Sequence, residues 1–246
     1  MTNIGVFDSG LGGLTVLQKL IKTNKANYYY FGDSLRAPYG NRDKDELIKF
    51  AEEIVDFLQD FDIDYYIIAC NTLSVLASKH LSEKYKKKFY PITDAGIEAS
   101  KSFDGDYLVL GTKTTINSHY YKNNIRNNSN KVYEVAGIKL VDYIEDGMIH
   151  GYELDKALGE YLEIANKQKI ENIILACTHY PIITDAIKKN LTYKANIIDP
   201  ADYLKLDLPE NEDSSVNIFM SKVDPSTEKI IKNLIDCDYN LEEKEL

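Results

Sequence analysis

Two hexapeptides carry most of the chemistry this sequence offers. Ile67-Ile68-Ala69-Cys70-Asn71-Thr72 and Ile174-Leu175-Ala176-Cys177-Thr178-His179 follow one plan: an apolar run ends at a cysteine, and small polar residues come next. Each run reads as a strand and each set of polar residues as the start of a helix. The thiol then sits where the positive end of a helix favours the thiolate. Asn71-Thr72 and Thr178-His179 add backbone and side-chain donors suited to a carboxylate. A thiol with a pKa of about 8.5 can alternate between acid and base near neutral pH. Two thiols facing each other across a planar carbanion can take a proton from one face and return one to the other. A single residue could do that only by changing sides. Asp8 and His179 are the ionisable neighbours placed by sequence to tune the pair.

Other chemistries remain open on the residues alone. A single cysteine at a strand end is often a small core residue. Cys177 and His179 with Cys70 would make three metal ligands, but zinc sites use closer spacings and a further His or carboxylate. A cysteine hydrolase needs one nucleophile and one base, which leaves Cys70 idle. A non-catalytic protein that closes on an acidic amino acid would keep the donors and have no use for two thiols. Cys237, in Ile235-Asp236-Cys237-Asp238, lacks the strand-to-helix context and is expected to be structural or exposed.

Two loops add candidates. Asp8-Ser9-Gly10-Leu11-Gly12-Gly13-Leu14 follows an apolar run directly, which suits a small-ligand loop with Asp8 and Ser9 facing a cleft. It is no dinucleotide fingerprint, since the sixth position from Gly10 is Thr15, and no P-loop motif is present. Gly32-Asp33-Ser34-Leu35-Arg36-Ala37-Pro38-Tyr39-Gly40 also follows an apolar run, and loops after strands often carry function.

The elements that must hold these residues alternate along the chain. Strands are expected at Ile4–Phe7, Tyr28–Phe31, Tyr65–Ala69, Phe89–Ile92, Tyr107–Leu110, Val132–Val135, Ile173–Ala176 and Ile197–Ile198. Most are continuous apolar runs, as parallel strands covered on both faces require. Helical stripes run over Leu47–Gln59, Leu73–Lys84 and Leu154–Ala165. Strand–helix alternation predicts an α/β fold with parallel sheets. The repeated hexapeptide, about one small domain apart, predicts two similar domains that each present a cysteine at the carboxyl end of a strand, where open α/β sheets bind ligands. A crossing between halves is expected near Pro91–Gly96 and a second near Asp199-Pro200 or Leu208-Pro209. Glu210–Ser215 reads as a polar loop, Val216–Met220 as a strand and Ser226–Ile235 as a helix.

With 246 residues, 44% of them apolar, the chain can bury a real core as one large or two small domains. Its net charge of −10 and pI of about 5.0 give no basic face for nucleic acid; Lys86-Lys87-Lys88 reads as a solvated helix end. Three widely spaced cysteines argue against a disulfide framework and fit a reducing cytoplasm. The first residues lack the pattern of a signal peptide, and no stretch approaches the length of a membrane span.

Taken together, six co-ordered blocks resemble the glutamate racemases, within the wider aspartate/glutamate racemase family. They are Gly5-Val6-Phe7-Asp8-Ser9-Gly10 with Gly12-Gly13-Leu14, Gly32-Asp33-Ser34, Pro38-Tyr39-Gly40, Ala69-Cys70-Asn71-Thr72, Gly111-Thr112 with Thr115, and Ala176-Cys177-Thr178-His179-Tyr180-Pro181. The resemblance implies cofactor-independent interconversion of L- and D-glutamate, without pyridoxal phosphate or metal, supplying D-glutamate for peptidoglycan. Aspartate or another acidic amino acid is the alternative substrate. It implies two flavodoxin-like domains with the active site in the cleft between them, in a cytoplasmic homodimer with no nucleic-acid or membrane partner. The first domain would be residues 1–94 with a returning tail, 205–246; the second would be 95–204. By the same resemblance Cys70 takes the proton from D-glutamate, assisted by Asp8, and Cys177 takes it from L-glutamate, assisted by His179. Substrate contacts fall to Asp8, Ser9, Pro38, Tyr39, Gly40, Asn71, Thr72, Thr112, Thr114, Thr115, Glu145, Thr178 and His179, with Asp33 a further acidic residue near the site. Leu73, where many relatives have Ala or Val, and Asp94-Ala95, where many have Glu-Pro, depart from the pattern.

Overall fold

The computed structural model describes residues 1–40, 42–125, 130–207, 209 and 213–246. The chain divides into two compact units: Met1–Ile92 with Lys205–Leu246, and Thr93–Leu204.

The first unit is a sheet of six parallel strands. In chain order they are β1 (Asn3–Asp8), β2 (Asn27–Gly32), β3 (Tyr65–Ile68), β4 (Lys88–Pro91), β9 (Ser215–Met220) and β10 (Asn240–Glu243). Their spatial order is β10-β9-β2-β1-β3-β4. The second unit holds β5 (Tyr107–Gly111), β6 (Val132–Ala136), β7 (Asn172–Ala176) and β8 (Asn196–Ile198), all parallel, in the order β6-β5-β7-β8. Both sheets therefore run second-first-third-fourth through their first four strands. In each, the chain leaves the first strand to one side and returns on the other, and that reversal opens a crevice at the carboxyl ends.

Helices pack on both faces because the strands demand it. The residues of β5 and β7 are all buried, and β1 is buried beyond its first residue, so these apolar runs have no solvent face. In the first unit, α1 (Leu14–Thr23), α2 (Lys44–Leu58) and α3 (Asn71–Tyr85) follow the first three strands, and α11 (Pro225–Leu234) lies in the returning tail. Helix α2 starts where Asp43 accepts the N–H of Asp45 at 2.8 Å, and it buries Leu47, Ala51, Ile54, Val55 and Leu58. Each fully buried Leu, Ile or Val on that stripe contributes about 1.5–3 kcal/mol. The second unit carries α4 (Ile92–Ser100), α5 (Lys113–Asn117), α6 (Tyr120–Asn124), α7 (Leu140–Glu145), α8 (Tyr152–Tyr161), α9 (Glu163–Gln168) and α10 (Thr184–Lys189). No helix among the described residues is long and apolar enough to cross a membrane.

Several local expectations are corrected. Ile92 opens α4 rather than ending a strand, so the chain passes from the first unit to the second between Ile92 and Thr93, within the expected crossing Pro91–Gly96, at the start of that helix. The helix expected over Leu154–Ala165 breaks at Leu162 into α8 and α9. Strand β10 escapes the sequence reading because, among the described residues, it pairs only with β9, and three of its four residues are exposed, so it needs no apolar run. Leu208 and residues 210–212 of the expected polar loop lie outside the described residues.

Candidate active site

In the first unit the sequence candidates converge on the carboxyl ends of three adjacent strands. Asp8 closes β1, Asp33 follows β2, and Cys70 follows β3 by two residues. The ends stay in step: the N–H of Asp33 donates to the Asp8 carbonyl at 3.1 Å, and that of Ala69 to the Phe7 carbonyl at 2.9 Å.

Asp8 is fully buried, and its Oδ2 accepts the backbone N–H of Gly13 at 2.8 Å. The turn needs glycine here, since a Cβ on Gly13 would lie 2.4 Å from the Asp8 Cβ and 2.7 Å from the Tyr30 hydroxyl. Tyr30, from β2, donates to the Gly10 carbonyl at 2.6 Å and so ties the loop to the neighbouring strand. Burial holds the Tyr30 phenol well above its ordinary pKa, and the negative charges of Asp8 and Cys70 push it further the same way.

Cys70 is 6% exposed and stands at the N-cap of α3, a helix of 15 residues. Its carbonyl accepts the N–H of Ser74 at 2.9 Å, and its sulfur lies 3.9 Å from Ser9 Oγ, a long thiol–hydroxyl contact. Asn71 and Thr72, the first residues of α3, are buried. Leu73 is fully buried in the cluster that also holds Phe7, Tyr39 and Cys70. In the loop after β2, Asp33 is fully buried and accepts bonds from the Tyr39 hydroxyl and from Arg36 Nε. Tyr39 is buried, Pro38 is exposed after a cis peptide bond, and Gly40 is partly exposed.

The second unit repeats the frame with different side chains. Thr112 follows β5 and caps α5: its Oγ1 accepts the N–H of Thr115 at 3.2 Å and meets Thr115 Oγ1 at 2.9 Å. Thr115 is buried, and Thr114 is half-buried beside it. Cys177 follows β7, is 6% exposed, and lies 3.8 Å from His179 Nδ1. The other ring nitrogen of His179, Nε2, is 3.1 Å from Glu145 Oε1 at the end of α7. His179 is buried while Glu145 is exposed, so the imidazole joins a buried thiol to a solvated carboxylate. Thr178 is buried next to them.

The helix expected directly after Cys177 is corrected. The Cys177 carbonyl accepts from Tyr180, a 3₁₀ turn runs over Tyr180–Ile183, and the six residues of α10 follow. Pro181 supplies no N–H and restrains the residue before it, which favours the tight turn over immediate α-helix. Tyr180 donates to the carbonyls of Gly137 at 3.0 Å and Gly111 at 3.3 Å and so fastens the turn to the ends of β6 and β5. Burial, then the Cys177 charge, keeps its phenol well above the ordinary pKa. Cys237 is exposed, with its thiol pushed up by partial burial and by Asp236 and Asp238.

Sequence reasoning did not single out Tyr30, Arg36 or Glu53. The available signals were the tyrosine at the inner end of the run Tyr28–Phe31 and an arginine three residues after Asp33.

Residues 4–204 match a family model described as Asp/Glu/Hydantoin racemase. The chain is 36% identical to the glutamate racemase of Persephonella marina, covering 99% of this chain and 97% of that protein. Among solved structures, a glutamate racemase isoform from Bacillus anthracis superposes with a TM-score of 0.90 at 28% identity, covering 100% of this chain and 98% of that one. The glutamate racemase of Francisella tularensis, solved in complex with D-glutamate, gives 0.86 at 29% identity, covering 99% and 97%.

Proposed function

This chain belongs to the Asp/Glu/Hydantoin racemase family, and from that premise we propose that it interconverts L- and D-glutamate with two cysteine thiols and no cofactor. The observation that carries the reading is the matched placement of Cys70 and Cys177. Each follows the third strand of a sheet with the same strand order, each is nearly buried, and each has polar support within reach of its sulfur. The names of the relatives and the D-glutamate bound to the Francisella tularensis enzyme support glutamate as the substrate.

In the step from L-glutamate, the Cys177 thiolate takes the α-proton: an S–H bond forms as the C–H bond breaks. The electron pair left on the α-carbon spreads into the substrate carboxylate. The Cys70 S–H then breaks, delivering its proton to the opposite face and leaving a thiolate there. From D-glutamate the roles reverse. His179 accepts the resting proton of Cys177 through Nδ1, and Glu145 orients the ring through Nε2. Asp8 assists Cys70 through the field of its buried carboxylate. Ser9, the Pro38-Tyr39-Gly40 turn, Asn71-Thr72, Thr178 and the threonines Thr112, Thr114 and Thr115 hold the substrate's charged ends. The product would supply D-glutamate for peptidoglycan synthesis, and with it the cell wall and cell shape, in the cytoplasm, from a homodimer.

The test is α-proton exchange of L-glutamate in D₂O, followed by NMR and circular dichroism without added cofactor. Wild type should incorporate deuterium as optical activity decays. Cys70→Ala and Cys177→Ala should each lose racemization by about 10³-fold or more, the scale of a missing general acid or base. Exchange with aspartate and none with glutamate would move the reading to the alternative substrate. A single variant that racemizes within a few-fold of wild type would sink the two-thiol mechanism.

A further inference from the structure

We propose that Arg36 is a positioning residue for substrate binding, holding the Pro38-Tyr39-Gly40 turn in place through Asp33; this rests on the reading of that turn as a substrate contact. Asp33 is fully buried, and a carboxylate without water must be met by donors. Its Oδ2 receives the Tyr39 hydroxyl and, at 2.6 Å, Arg36 Nε; its Oδ1 has no hydrogen-bond partner among the described residues. Among the described residues the carboxylate thus depends on one arginine and one tyrosine, and that tyrosine sits in the middle of the turn read as a substrate contact.

Arg36 is itself held from two further directions. Its Nη1 lies 2.5 Å from Glu53 Oε2, and its guanidinium carbon sits 4.0 Å above the centre of the Phe50 ring. Phe50 and Glu53 are three residues apart on α2 and share one face of it. The Tyr39 ring also packs against Phe50, with ring centres 5.7 Å apart. One helix face therefore serves as a platform for both Arg36 and Tyr39. The near side of the loop is anchored separately: Leu35 N–H donates to Ser221 Oγ at 2.7 Å, and Ser34 Oγ donates to the Lys222 carbonyl at 3.2 Å. The far side, from Ala37 to Gly40, includes the exposed Pro38 and is tied back through the Tyr39 hydroxyl.

The geometry calls for arginine in particular. A planar fork can meet Asp33 and Glu53 at once while stacking on Phe50, whereas an ammonium is a point charge that cannot do all three. Removing Arg36 leaves the Asp33 charge buried with one donor. The Tyr39 tie then competes with any movement that brings Asp33 toward water, and the turn loses its fixed position.

The experiment compares Arg36→Met, Arg36→Lys, Glu53→Gln and Arg36→Met/Tyr39→Phe with wild type. Two readouts are taken: kcat and KM for both glutamate enantiomers, and amide hydrogen exchange of peptides covering residues 34–40. Arg36→Met should raise KM about tenfold for both enantiomers with kcat changed less than about threefold, because a binding contact is misplaced while the thiols are untouched. Exchange should speed up in residues 34–40 and stay unchanged in β1 and α3. Arg36→Lys should recover only part of the loss, Glu53→Gln should show a weaker form of it, and Tyr39→Phe should add little to Arg36→Met. An unchanged KM, unchanged loop exchange, or exchange rising across the whole unit would each overturn the proposal. Should Arg36→Met fail to fold, Arg36→Lys and Glu53→Gln carry the same two readouts. Wild type inactive on glutamate would sink the functional reading alone, and the loop exchange would still decide the role of Arg36.

Discussion

Cys70 and Cys177 follow the same strand in two sheets of the same order, yet they keep different company. Cys70 caps a helix of 15 residues, has a serine hydroxyl near its sulfur and shares a buried cluster with Tyr39, while on the neighbouring strand the Asp8 carboxylate is fastened to a backbone N–H. Cys177 precedes a 3₁₀ turn and has an imidazole that reaches an exposed carboxylate. The first environment is a field set by a long helix and a buried carboxylate. The second is a proton partner with a route toward solvent. A common frame carries two different surroundings for a cysteine, and under the proposed two-thiol mechanism both must let a thiol gain and lose a proton.

That difference sharpens into measurements, with one constraint. L- and D-glutamate have equal free energies, so kcat/KM must be the same in both directions for any variant. Asymmetry between the two cysteines can appear only in kcat and KM separately and in their pH dependence. His179→Gln should have the larger effect, about 10²-fold in kcat/KM, because it removes a group that exchanges protons with the thiol. Asp8→Asn should cost less, about 10- to 50-fold, since the amide oxygen can still accept the Gly13 N–H and only the charge is lost. If the two losses are equal, or their order is reversed, the contrast between a field and a proton partner fails.

Glu145 lies further out on the same comparison. It touches His179 and stands exposed, so screening by water weakens its hold on the ring. Glu145→Gln should lower kcat/KM only about three- to fivefold, and added salt should erode the wild-type advantage. A loss as large as that of His179→Gln would mean that Glu145 meets substrate directly rather than acting through the ring.

How much of this could be read in advance follows from where each signal lies along the chain. Apolar runs ending at Phe7, Phe31, Ala69 and Ala176 mark buried parallel strands, and the residues after them must then gather at the carboxyl edge of a sheet. That reasoning needs nothing beyond each run and its end. The ties that hold the edge together are less visible. Arg36 reaches Glu53 across the gap between a loop and α2, Tyr30 reaches back to Gly10, and His179 meets Glu145 from another helix. No periodicity links such pairs, because the fold alone brings them together. The turn after Cys177 was misjudged for a local reason: the repeat with Cys70 outweighed the proline at position 181, whose missing N–H governs the next few residues.

The smallest effects belong to the two phenols that clamp the edges. Tyr30 holds Gly10 in the first unit, and Tyr180 holds Gly111 and Gly137 in the second. Both are fully buried, and burial raises both above the ordinary value of 10.0. The sign follows from linkage. In the unfolded chain each ionises near pH 10, while in the folded chain each remains neutral well beyond it. Their contribution is therefore intact below about pH 10 and declines above it, by at most about 1.4 kcal/mol per pH unit for each tyrosine. Tyr30→Phe and Tyr180→Phe should each lose about 0.5–1.5 kcal/mol at neutral pH from the missing hydrogen bond. Each should also make the alkaline decline shallower by one titrating group. Urea unfolding between pH 8 and 11 measures both effects. A decline as steep in the phenylalanine variants as in wild type would show that these phenols ionise in the folded chain, and that the clamps are open to water.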